Sequence, residues 1–438
     1  MEFPRRNSYL ISMKIKRLFI IVFVLTFAGT VQALTVDEAV RIALDNNLGL
    51  RRAALNTATL KRASDRSWNS LFPTFSAGVM VSHPTSVTGA IPPGQEVWTP
   101  GFSFSAGLTL STATIEAVRK AQADYEAGLL SYEAVRQELE FQVRRLFYQI
   151  LLLDANRELA AQNFASAQSR YEQSAALVRA GQAPHLDELS ARVDMENMRP
   201  MVRQAEIIYE NALDTFKTIL GIPAETAIKL DGYLSKAVFA GETGGNLVAG
   251  ESLEAAILRS SIQSLEAQRN TVRNSAYIPS LRLSWNSTPL YIDTPIGRSW
   301  NDINGSFSIS LGISLDSFFP WSNAKTQIDT LNDHIRSTQI QLADSLRNRD
   351  NRLNQNMRTL ERILESLEAM ELNVQLAQDT YNMIEEAYRR GAADYQRLRG
   401  AGDALEQARY RLLSEQFNLI ISVLDLEKEL NIPFGTLF

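Results

Sequence analysis

From Val118 onward, apolar side chains recur at steps of three and four: Ala121, Tyr125, Leu129, Tyr132, Val135, Leu139, Val143, Leu146, Ile150 and Leu153. Past Arg157 the row resumes with Ala160, Phe164, Ala167, Tyr171, Ala175 and Val178. The mean step is about 3.5 residues, the coiled-coil period. The row predicts one helix over about 113–180, a rod of roughly 100 Å at 1.5 Å rise per residue. Ordinary globular domains do not need so long a helix. Gly181 and Pro184 predict its end, because glycine takes the left-handed cap and proline cannot continue the turn. A helix over about 185–220 returns along it, with Pro200 placed to kink or break it.

Before the rod the period changes to two. Phe75, Ala77, Val79 and Val81 alternate with Ser76, Gly78, Met80 and Ser82; Phe102, Phe104, Ala106, Leu108 and Leu110 alternate with Ser103, Ser105, Gly107 and Thr109. These read as two strands of a hairpin over about 73–111, joined by a long Pro/Gly/Thr-rich loop. Upstream, Thr35-Val36-Asp37-Glu38 is a capping box that opens a helix, read here as running to about Trp68; Pro73 forces the break.

The whole order then repeats. Tyr171–Gly181 returns as Tyr381–Gly391, 210 residues later, and Leu220-Gly221-Ile222-Pro223 returns as Leu430-Asn431-Ile432-Pro433. Phe72-Pro73 maps onto Ile278-Pro279, and Phe102–Leu110 onto Phe307–Leu315, with slightly shorter offsets. The chain therefore divides into a first repeat over 34–223, an irregular connector over 224–251 and a second repeat over 252–438. The second repeat holds a hairpin over about 279–316, a long helix over about 323–390 and a helix over about 394–430.

Residues 1–33 stand apart. Lys14, Lys16 and Arg17 precede the short apolar run Leu18–Ala28, and Val31-Gln32-Ala33 offers small residues for cleavage. That is the layout of a secretory signal peptide with a mature start near Leu34, initiated at Met1 or Met13. Nothing later is apolar for long enough to span a bilayer as a helix, so a spanning segment would have to be β. The chain has no cysteine, which leaves no residue for a disulfide, a thiolate metal site or a cysteine-linked lipid. A net charge of −5 argues against bulk nucleic-acid binding.

The hairpins carry aliphatic and aromatic residues on one face and mostly Ser, Gly and Thr on the other. A soluble β-layer would need a second layer over the apolar face, and the strands read here do not supply one. Lipid against the apolar face and water against the small polar face satisfies both. The five tryptophans, Trp68, Trp98, Trp285, Trp300 and Trp321, all lie in or beside the hairpins; Trp98, Trp285, Trp300 and Trp321 are expected in an interfacial girdle. Four strands cannot close a barrel, and open edges in lipid are costly, so the chain must oligomerise; a trimer would supply about twelve strands. The rival reading is a non-pore coiled-coil structural protein of the periplasm or cell surface.

LTVDEAVRIALDNN at Leu34–Asn47, the two Phe-Pro and Ile-Pro turns into strands, and the Gly181 and Gly391 turns after Tyr171 and Tyr381 resemble, in this order, the TolC-like outer-membrane efflux channel family. The resemblance covers 34–438. It implies a homotrimeric twelve-stranded barrel in the outer-membrane lipid, continued by a long α-helical barrel in the periplasm. It implies a passive exit duct for efflux or type I secretion that docks with a periplasmic adaptor and an inner-membrane transporter.

No catalytic or cofactor constellation is present: His83, His185 and His334 lack ligand spacing, and Gly241–Gly250 is followed by no phosphate-loop lysine. No enzymatic activity, metal or cofactor is expected. The resemblance puts Arg179, Gly181 and Gly391 at an adaptor-docking tip and matches Tyr388 and Asp187 to the family's closing network. The family's arginine falls on Ala393, and its constriction aspartates on Arg397 and Gly400. Asp187 and Arg397 each lie six residues past their tip glycine. They are expected to face each other at a periplasmic gate, with Arg389 or Arg390 as alternative partners, and Arg397 is expected to weaken cation preference there.

Overall fold

A computed structural model describes residues 33–82, 98–234, 250–294, 297–300 and 305–437. The proposed signal segment, His83 and most of the connector lie outside the described residues. The fold is two copies of helix, hairpin, long helix and returning helix. In the first copy these are α1 (Val36–Asn46), α2 (Leu48–Arg66), β2 (Thr74–Ser82), β3 (Thr99–Leu110), α3 (Thr112–Arg179) and α4 (His185–Leu220). In the second they are α5 (Leu253–Tyr277), β5 (Ser280–Ser287), β8 (Gly305–Gly312), α6 (Asn323–Arg389) and α7 (Tyr395–Leu430). Two-residue β1 (Ala33–Leu34) and β4 (Lys229–Leu230) form a parallel clip between the entry to α1 and the connector.

The helix starts follow the sequence closely. Thr35 and Glu38 complete their capping box. Ser111 and Ser322, the corresponding residues of the two copies, each cap a long helix by accepting from the backbone N–H three residues on. The rods are 68 and 67 residues, roughly 100 Å each. The expected single helix to Trp68 is instead two helices and a 3-10 turn over Ser67–Leu71. Asn47 breaks it: its backbone is extended, its Oδ1 accepts from Leu50 N–H, and its Nδ2 donates to the Ile219 carbonyl. Pro200 does not break α4, which runs unbroken through it.

One end of the bundle is a four-stranded sheet in the order β2-β3-β5-β8, antiparallel throughout. The register aligns Phe75, Ala106, Trp285 and Phe307 across the strands, and Leu110, Leu281 and Leu311 below them. Apart from Met80, the apolar residues of the alternation thus fall on one face, and that face is uncovered: Phe75 is 80% exposed and Leu311 73%. The opposite face is knit by hydroxyls, Ser76 to Ser105 at 2.5 Å and Ser284 to Ser308 at 2.7 Å. β2 and β8 each have a single partner, so both edges are open. A second hairpin, β6 (Tyr291–Thr294) and β7 (Gly297–Trp300), occupies the stretch read from sequence as loop.

The core sits midway along the rods. Val143, Phe147 and Ile150 of α3 pack with Ala39 and Ala43 of α1 and Phe216 and Leu220 of α4. Leu360 and Ile363 of α6 pack with Leu419, Val423 and Leu426 of α7, and Ile420 and Leu424 of α7 meet Phe141 of α3. Each fully buried Phe, Leu or Ile contributes about 1.5–3 kcal/mol. Leu129 and Val135 of the predicted apolar row are exposed instead. At mid-rod α3 packs against several helices, so Phe141 and Phe147 outside the row are buried as well.

Candidate functional site

At the end far from the sheet, α3 turns into α4 and α6 turns into α7. Both turns are the same device. Gly181 and Gly391 adopt φ +71°, a left-handed conformation that side chains disfavour. Gln182 N–H bonds to the Leu177 carbonyl and Ala392 N–H to the Ala387 carbonyl, each at 2.8 Å. Glycine caps the rod and the six-to-one bond closes it, so the two loops have matching geometry. The helices leaving them start differently. Asp394 caps α7 by accepting from Arg397 N–H at 2.8 Å, whereas Pro184 precedes α4 with no side-chain cap.

The two pairs of helices meet just above these turns, in a cluster of Ala191, Tyr388, Tyr395 and Leu398. Tyr388 is 3% exposed. Burial pushes its phenol up, the neighbouring Ser174 hydroxyl opposes that, and the charge of Asp187 adds to it. Neither the Tyr388 nor the Ser174 hydroxyl completes a hydrogen bond within the described chain. The sequence-matched pair Tyr388 and Asp187 is thus brought together electrostatically at the tip.

Asp187 and Arg397 form no ion pair within the chain among the described residues. Arg397 lies 4.0 Å from Asp394 on its own helix, both exposed. Asp187 is half-buried and its carboxyl is held above its ordinary range, first by burial and then by the negative charge of Asp394. Arg389 and Arg390 reach Glu385 and Glu386, one turn back on α6, at 2.9 and 2.7 Å. Arg179 donates to the Ala175 carbonyl and is exposed.

A buried polar tie between the helix pairs was not read from the sequence. Tyr395 Oη donates to Asp194 Oδ2 at 2.9 Å, and Arg399 lies 3.4 Å from Asp194 Oδ1. Asp194 and Tyr395 are buried. Burial and the Asp194 carboxylate together hold the Tyr395 phenol far above its ordinary value. Asp194 and Tyr395 are 201 residues apart, and only the duplication hints that α4 and α7 share a level.

At the sheet, Trp300 packs on Phe102 at 5.3 Å and Tyr291 at 5.4 Å, near the strand ends away from the rods, where Trp98 is also exposed. Trp321 stacks on Phe319 at 5.1 Å where the strands meet the rods and is almost fully exposed. Trp285 lies within β5, beside Gly305, rather than at a strand end.

No helix among the described residues is long and apolar enough to cross a membrane. The family model of outer membrane efflux proteins matches residues 39–221. No curated protein sequence matches the chain. Among solved structures, the fold is similar to the Campylobacter jejuni CmeC outer membrane channel, with TM-score 0.76 at 15% identity over 90% of this chain and 85% of that one. It is similar to the open state of the Neisseria gonorrhoeae MtrE outer membrane channel, with TM-score 0.76 at 16% identity over 91% and 89%. CusC, described in terms of folding and transmembrane channel formation, gives TM-score 0.76 at 16% identity over 91% and 92%.

Proposed function

We propose that the chain is the outer-membrane exit duct of a tripartite efflux or type I secretion system, a reading supported by the match of residues 39–221 to the family model of outer membrane efflux proteins. The observation that carries this is the open four-stranded sheet: one continuous apolar face, one hydroxyl-rich face and two unpaired edges, joined directly to two rods. Lipid satisfies the first face and a wet lumen the second, while further copies of the chain satisfy the edges.

The working unit is a homotrimer with about twelve strands, the number that three such sheets close into a barrel. Exposed apolar stripes support assembly along the rods as well: Leu186, Leu189 and Val193 on α4, and Leu372, Leu376 and Met383 on α6. The aromatic cluster around Trp300 and that around Trp321 serve as the two interfacial girdles. Residues 1–33 direct export. The turns at Gly181 and Gly391, with the exposed Arg179, meet a periplasmic adaptor linked to an inner-membrane transporter. Tyr388, Asp194, Tyr395 and Arg399 hold this tip shut, and Asp187 joins them once its carboxyl is protonated.

Reconstitution in planar bilayers tests the proposal. Heat-modifiable oligomers from an outer-membrane fraction should give discrete conductance steps. Oligomers that insert yet never conduct would refute the duct.

A further inference from the structure

The walls of the sheet carry a single ionisable side chain. β2, β3, β5 and β8 are built from Ser, Thr, Gly, Ala, Asn, Met, Pro and apolar residues, with Arg282 the one exception. Leu281 and Leu283 flank it on the apolar face, so the alternation of the strand puts Arg282 on the hydroxyl-rich face. Its cross-strand neighbours are Thr109 and Ser310, neither of which can neutralise a guanidinium. Its side chain is exposed, and among the described residues no carboxylate pairs with it. The repeat makes it conspicuous: with Phe72-Pro73 aligned on Ile278-Pro279, the first copy carries Ser76 at this place, bonded to Ser105.

Its height on the wall is also defined. Arg282 is the third residue of β5, which follows directly from α5. It therefore stands where the strands receive the helices. A charge facing lipid there would cost up to about 1 kcal/mol, rising to about 2–4 kcal/mol deeper in the membrane. Facing an aqueous lumen with low-dielectric walls, its field acts along the pore.

We propose that Arg282 is the charge-selecting residue of the barrel. One guanidinium from each copy forms a positive ring at the junction of barrel and helical tunnel. The ring favours solutes that carry a carboxylate, sulfonate or phosphate group and slows the passage of cations. The inference rests on the duct reading above, and adds to it a class of cargo and the residue that sets it.

The test compares the full chain with Arg282→Ser and Arg282→Lys in planar bilayers under a potassium chloride gradient at low ionic strength. Arg282→Ser should lower the chloride-over-potassium permeability ratio by about threefold, and Arg282→Lys, which keeps the charge, should hold it near the parent value. Inorganic tripolyphosphate added to the bath should block the parent and the lysine variant, and block the serine variant far less. Equal permeability ratios and equal block in parent and Arg282→Ser, at similar conductance, would overturn the selectivity assignment and leave the duct intact. A parent protein without conductance would overturn both.

Discussion

Asp187 is a carboxylate whose surroundings oppose its charge. Burial and the neighbouring Asp394 both raise its proton affinity in the folded tip. Because the folded value lies above the unfolded one, the penalty is absent at low pH, grows as pH rises through the carboxylate range and is complete at neutrality. Acidification should therefore tighten the tip and lower open probability in single-channel records, and Asp187→Asn should flatten that response. Tyr388 reads the same charge, so its phenol should titrate lower in Asp187→Asn by ultraviolet difference spectroscopy. The places of Tyr388 and Asp187 near the tip were legible relative to Gly391 and Gly181. The neighbour that dominates Asp187 was not, because Asp394 acts as a cap and its side chain is drawn toward the start of α7.

The tie from α4 to α7 behaves as a small latch. Tyr395→Phe removes one hydrogen bond, about 0.5–1.5 kcal/mol, whereas Asp194→Ala also strands the buried Tyr395 hydroxyl and costs more. Single-channel open probability should rise in the order parent, Tyr395→Phe, Asp194→Ala. The glycine turns give a second graded expectation. Alanine at Gly181 meets open space and suffers only the left-handed backbone, about 1–2 kcal/mol. Alanine at Gly221, at φ +69°, would also place its Cβ 2.8 Å from the Asn46 carbonyl oxygen, a backbone atom. Thermal unfolding should rank Gly221→Ala as the more damaging. The second copy meets the same need with Asn431 at φ +55°, whose amide donates to the Glu251 carbonyl.

Helices and strands were legible wherever one period held over many residues, as in α3, α6 and the four long strands. Legibility failed where a local side-chain bond outweighed the pattern. Asn47 splits an apparently continuous helix by capping Leu50, and α4 continues through Pro200 with Ala191 and Met195 buried before it and Phe216 and Leu220 buried after it. The β6–β7 hairpin is too short to show a period, and its docking depends on Trp300 meeting Phe102 from a distant part of the chain. Side-chain partners across the bundle, such as Asp194 and Tyr395, depend on helix rotation, which the sequence alone does not set.

The sheet and the rods together make the assembly. Ile309→Arg places a charge at mid-strand on the exposed apolar face and should cost about 2–4 kcal/mol in lipid, whereas Ser306→Arg, on the opposite face and across from Asn286, should cost little. Heat-modifiable oligomers on electrophoresis should be lost in the first variant and kept in the second.

The two open edges also have a genetic consequence. A strand edge that can be completed only by a sister chain cannot be repaired from within its own copy. A variant that adopts the fold but spoils its β2 or β8 edge will still be recruited into rings by its sound edge. Expressed beside the parent, it should poison mixed assemblies and act dominantly. A variant that never folds is simply absent from the pool and should be recessive.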